Sequence, residues 1–189
     1  MRKERFQVIL CLIFLGLRIN WAAPVLAQNT EKPAILGISQ VTFKVKDFSK
    51  SINFYEGLLG YTPNRVRQKN NLQEQVIFKV NNRQQIKIVS GLPDGQDERL
   101  LEIALEVTDA EKMRRFLSGK GLRVPEKLAT EPAGSLSFTV EDPEKHLIKF
   151  IQYPLKNTSR SPRKVQRSTG ISDRILHVGI TVADVKKMD

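Results

Sequence analysis

Four residues of this 189-residue chain combine chemistry with regular spacing: Gln40, Lys87, Glu102 and Lys149. The same 47-residue interval separates Gln40 from Lys87 and Glu102 from Lys149. An amide and a carboxylate supply oxygen donors, whereas a protonated lysine supplies only N–H groups. Two ammonium groups on one surface attract an anion and repel a divalent cation, which needs oxygen or neutral imidazole donors. Such a set admits two uses. It binds a small polar or anionic molecule, or its lysines close on Glu102 and Glu106 as a structural ion-pair cluster. Other reactive types are few. Cys11 is the only cysteine and lies in an N-terminal apolar run, so the folded part is expected to hold no disulfide, thiol nucleophile or cysteine-ligated metal. His146 lies in the turn Asp142-Pro143-Glu144-Lys145-His146, where a hydrogen bond within the turn is expected rather than a ligand role. His177 opens a later segment.

The elements that position these residues follow from an internal repeat. Gln40-Val-Thr-Phe-Lys-Val-Lys-Asp47 matches Glu102-Ile-Ala-Leu-Glu-Val-Thr-Asp109, and His177-Val-Gly-Ile-Thr-Val-Ala-Asp184 starts the pattern again. An offset of 62 relates the first two and also carries Phe54 onto Phe116, Phe78 onto Val140 and Ile88 onto Phe150. Val41, Phe43 and Val45 alternate with polar residues, the signature of a half-buried strand. Asp47 and Ser49 then precede Ile52, Phe54, Tyr55, Leu58 and Leu59, a helical spacing that Gly60 can end. Two strands follow, residues 75–80 and 84–89, joined at Asn81-Asn82. In the second module, Thr108 and Glu111 suit a capping box before Met113, Phe116 and Leu117. Leu136, Phe138 and Val140 alternate as a strand, and residues 146–153 form the last one. Side chains alternate across a strand. If Val41, Phe43 and Val45 pack on the helices, Gln40, Lys87, Glu102 and Lys149 share the opposite face.

A strand-helix-three-strand module, repeated, with a polar residue opening each copy, is similar to the vicinal oxygen chelate superfamily of glyoxalases, bleomycin-resistance proteins and extradiol dioxygenases. Phe54-Tyr55 followed by Leu59-Gly60 resembles the family's FY…LG signature. Residues 142–150, DPEKHLIKF, resemble its DPDGHxxEF ending. The resemblance covers residues 35–153 and implies an α+β fold. Paired βαβββ modules would form a curled mixed sheet, a half-barrel with helices on its outer face and ligand on its concave one. It also implies that Gln40, Lys87, Glu102 and Lys149 stand at the family's metal-ligand positions. Both positions that usually carry glutamate carry lysine, so no metal is expected in this domain, and metal-assisted chemistry loses its Lewis acid. The expected role is a metal-free small-molecule-binding or scaffolding domain. The alternative is a metal-dependent lyase, isomerase or dioxygenase whose site lies in a missing second domain beginning at His177, a candidate ligand there.

The remaining segments complete the expected organisation. Residues 1–27 read as a signal peptide: Arg2, Lys3 and Arg5 precede an apolar run at residues 8–17, too short to span a bilayer, and Val25-Leu26-Ala27 suits cleavage. The protein is therefore expected to be secreted or periplasmic, without stable membrane insertion after cleavage; an uncleaved anchor is the alternative. The domain itself spans residues 35–153, with modules at about 35–90 and 100–153. Residues 154–174 hold six lysines and arginines against Asp173 and read as a solvated basic linker. Residues 175–189 read as the truncated start of a second such domain, its strand poorly anchored. The net charge of +11 is concentrated outside the folded part. No arginine-rich or aromatic nucleic-acid motif accompanies it, so no nucleic-acid partner is expected. The expected protein partner is the missing second domain or another copy of the chain.

Overall fold

The computed structural model describes residues 31–65, 73–97, 99–131, 134–154 and 169–182. The signal segment, most of the basic linker and residues 183–189 lie outside them. Eight strands form one mixed sheet in the order β2-β3-β4-β1-β5-β8-β7-β6. They are β1 (Ile35–Val45), β2 (Pro63–Arg65), β3 (Gln75–Lys79), β4 (Gln85–Ser90), β5 (Leu100–Val107), β6 (Ala129–Thr130), β7 (Leu136–Glu141) and β8 (Leu147–Gln152). Within each module the first and last strands are parallel, β1 with β4 and β5 with β8. The modules join through the antiparallel pair β1–β5, which places their first strands at the centre.

The alternation read from the sequence decides which face is buried. Phe43, Val76, Phe78, Val80 and Ile88 pack under the first helix, with Tyr55 stacked on Phe78 at 5.3 Å. Val107, Met113, Phe138, Val140 and Phe150 pack under the second, with Phe138 stacked on Phe150 at 5.1 Å. Both helices cover the same outer face of the curled sheet, and each module owns a separate core.

The helices depart from expectation in two ways. The second, α2 (Ala110–Gly119), is capped by Asp109, whose carboxylate accepts from Lys112 N at 2.8 Å. The box of Thr108 and Glu111 does not form. Glu111 instead pairs with Arg114 and Arg115, and these hydrogen bonds hold its carboxyl near 2. The first, α1 (Phe48–Ile52), is capped by Asp47 in the same manner and continues as a π-helical segment, Asn53–Leu58. Ile52, Tyr55 and Leu59 face the core, while Phe54 and Leu58 point outward at 47% and 73% exposure.

Residues 174–182 form no strand, contrary to the repeat. β1 and β4, which lie beside this segment, already have neighbours on both sides, so no ladder is open to it. Nor is its start poorly anchored. Ile171 N donates to Leu59 O at 2.8 Å, and Asn81 Nδ2 donates to Asp173 O at 2.8 Å. Gln84 exchanges two hydrogen bonds with the Ile175 backbone, each 2.9 Å. Gly170 lies so close to the Tyr61 ring that an added Cβ would meet it at 2.2 Å. The segment is a strap across module 1.

Candidate functional site

Strand pairing brings the four predicted residues onto the concave face, opposite the helices. Thr42 of β1 is the register partner of Lys87 in β4 and of Glu102 in β5. One step along, Gln40 is paired with Gln85 and Ala104, and Ala104 with Lys149. Thr139 of β7 lies beside Lys149. The floor of the sheet therefore carries polar side chains on five strands, β4, β1, β5, β8 and β7. Its small hydroxyl residues Ser39, Thr42 and Ser137 are almost fully buried, at 1–3% exposure.

Each predicted residue has a different setting. Gln40 Nε2 donates to Thr42 Oγ1 at 2.9 Å, and Gln40 Oε1 accepts from Gln85 Nε2 at 2.6 Å. Its oxygen is thus engaged by a neighbouring amide. Thr139 and both lysines lie within electrostatic reach of Glu102. Burial nevertheless dominates and raises its carboxyl above the ordinary glutamate value, against the pull of Lys149 and Lys87. Lys149 Nζ pairs with Glu131 Oε1 at 2.5 Å. Lys87 is half-buried, and no described residue hydrogen-bonds to it or forms an ion pair with it.

Glu131 is the residue that sequence reasoning missed. It follows the two-residue β6, and Ser137 Oγ also donates to its Oε1, at 2.8 Å. Burial opposes its ionisation, but Lys149 and Ser137, with a smaller through-space contribution from Lys87, outweigh that and hold its carboxyl below the usual value. Glu106, expected beside the lysines, lies four residues beyond Glu102 along β5 and faces Arg83 at 3.8 Å. The two histidines are elsewhere. His146 Nδ1 meets Asp142 Oδ2 at 2.8 Å inside its turn, as expected. His177 is exposed on the strap, beside Val41, Phe43 and Ile86 on the outer side of the sheet.

The donor set does not fit a divalent metal. At the four positions one amide oxygen is already bonded, one carboxylate is half-buried near two ammonium groups, and the other two groups are those cations. Among the described residues, no three His, Cys, Asp or Glu side chains converge. What the arrangement offers is a polar floor on which Lys149 is ion-paired and Lys87 forms no hydrogen bond or ion pair with a described residue.

The family model of the Glyoxalase/Bleomycin resistance protein/Dioxygenase superfamily matches residues 37–150. No curated protein matches the chain in sequence. Among solved structures it is similar to methylmalonyl-CoA epimerase from Mycobacterium tuberculosis, at 19% identity and a TM-score of 0.55, over 68% of this chain and 95% of that one. It is also similar to a methylmalonyl-CoA epimerase in complex with methylmalonyl-CoA and NH4+, at 14% identity and a TM-score of 0.54, over 64% and 96%. A variant of the Streptomyces coelicolor epimerase in complex with 2-nitronate-propionyl-CoA gives 14% identity and 0.53, again over 64% and 96%. At these identities the likeness is one of fold.

Proposed function

The chain belongs to the Glyoxalase/Bleomycin resistance protein/Dioxygenase superfamily, and from that premise we propose that its domain is a metal-free receptor for a small organic anion on the concave face. The carrying observation is Lys87, an ammonium half-buried on the floor that forms no hydrogen bond or ion pair with a described residue, although Glu102 and Glu131 lie within its electrostatic reach. A desolvated cation is costly unless an anion offsets its lost hydration, and a ligand acid group is the natural complement. Two of the similar structures hold acyl-CoA molecules, methylmalonyl-CoA and 2-nitronate-propionyl-CoA, which supports placing an anionic small molecule on this fold. Lysine at both carboxylate-ligand positions supports the metal-free reading. The basic, apolar and small-residue sequence of residues 1–27 supports export from the cytoplasm.

The test is thermal denaturation of the wild-type chain with a panel of small carboxylic acids and inorganic phosphate. At least one anion is expected to raise the Tm of the wild type and to leave Lys87→Met unmoved. A panel that shifts neither protein would overturn the receptor reading and leave the floor a structural cluster. Elemental analysis of the same preparation is expected to find no stoichiometric divalent metal.

A further inference from the structure

The floor carries two lysines, yet they are not equivalent. Lys149 is satisfied: its Nζ pairs with Glu131 Oε1, and Ser137 Oγ binds the same oxygen at 2.8 Å. The backbone fixes Glu131 there as well, because its N–H donates to Ser135 O at 2.8 Å and its carbonyl accepts from Gly134 N at 3.1 Å. The pair is not deeply buried, with side chains 19% exposed for Lys149 and 29% for Glu131, so it stands where a ligand on the floor would meet it. Among the described residues Lys87 has no carboxylate in contact with it; Glu102 and Glu131 act on it only through space. Resting on the receptor reading above, we propose that Glu131 is a specificity-determining residue: it occupies Lys149 and so restricts the ligand to one acid group, received at Lys87.

The reasoning is electrostatic. A carboxylate bonded to an ammonium satisfies one of its donors and cancels most of its field. A ligand with a single acid group places it on Lys87 and meets hydrogen-bonding groups, Thr139 among them, over the rest of the floor. A ligand with two acid groups brings the second to Lys149, where Glu131 already sits. It must then break a charge-assisted hydrogen bond or accept like-charge repulsion at close range, and such juxtaposition is what excludes wrong partners. The ligand class is therefore a monocarboxylate with a polar body, not a dicarboxylate. Glu131 does by occupancy what a missing cation would do by absence, with the difference that removing it uncovers a second cationic subsite.

The experiment compares wild type, Glu131→Gln and the milder Ser137→Ala by calorimetric titration with lactate, succinate, malate and inorganic phosphate. Wild type is expected to bind lactate more tightly than either dicarboxylate. Glu131→Gln is expected to reverse that order, improving dicarboxylate Kd about tenfold, the scale of one charge-assisted contact. Ser137→Ala, which loosens Glu131 without removing it, should move the ratio part of the way. Adding Lys149→Met to Glu131→Gln should cancel the gain. Lactate binding with an unchanged order in both variants, or a wild type that prefers succinate, would overturn the role of Glu131 and leave the receptor reading standing. No binding of any anion to wild type or to Glu131→Gln would overturn both.

Discussion

A half-buried carboxylate between two lysines looks at first like the anchor of an ion-pair cluster, but at Glu102 desolvation wins. Its raised carboxyl means that the native state holds a proton more tightly than the unfolded chain does. The stability this group contributes is complete below the ordinary glutamate pKa and is lost as pH rises through its raised native value. Glu102→Gln keeps a neutral side chain at every pH. The variant is therefore expected to be more stable than wild type at about pH 7 and to converge with it as pH falls to about 4. Melting temperatures of both proteins across that range check this; a difference constant with pH would contradict it. The placement of Gln40, Lys87, Glu102 and Lys149 was legible in the sequence because strand alternation is a strict period of two. Contact partners were not. Parity assigns a face but not a distance along the strand, so Glu106 was expected at the lysines and instead faces Arg83. Glu131 follows a two-residue strand in a stretch without period, and no pattern could point to it.

Elements show the same division between what periodicity carries and what tertiary pairing decides. The strand-helix-strand order and the helix start at Asp47 follow from local signals, and the structure keeps them. The strap does not. Its sequence repeats the opening strand, but a strand needs an edge, and β1 and β4 are already paired on both sides. Side chains replace the ladder: Asn81 and Gln84 bind its backbone, and Gln84 Nε2 also donates to Ile38 O at 3.1 Å, tying the strap to β1. A methyl group at position 170 has no room beside Tyr61. Gly170→Ala is therefore expected to release residues 169–177 while leaving the sheet intact. Hydrogen exchange should show the amides of Ile171 and Ile175 losing protection and those of β4 keeping it. Protection unchanged at Ile175 would mean that the Gln84 bonds alone hold the strap.

At the scale of the molecule, the two cores lie under different helices, and β1–β5 is the main contact between the modules. The pairing runs antiparallel between equivalent strands, so the modules are related by an approximate two-fold axis. The seam has the symmetry of a contact between identical halves, although one chain supplies both. The connection between the halves is a surface turn at residues 93–96, closed by one hydrogen bond from Gln96 N to Pro93 O at 3.3 Å. Nothing in either core requires that link to be covalent. A chain cut in this turn should thus behave as a split protein. The fragments on either side, made separately, each present one uncovered central strand and are expected to reassemble on mixing with recovery of the near-ultraviolet aromatic signal. Each fragment alone has only a copy of itself to pair with, so self-association through that strand competes with reassembly, and the mixing yield measures how far the two halves have diverged from interchangeable copies.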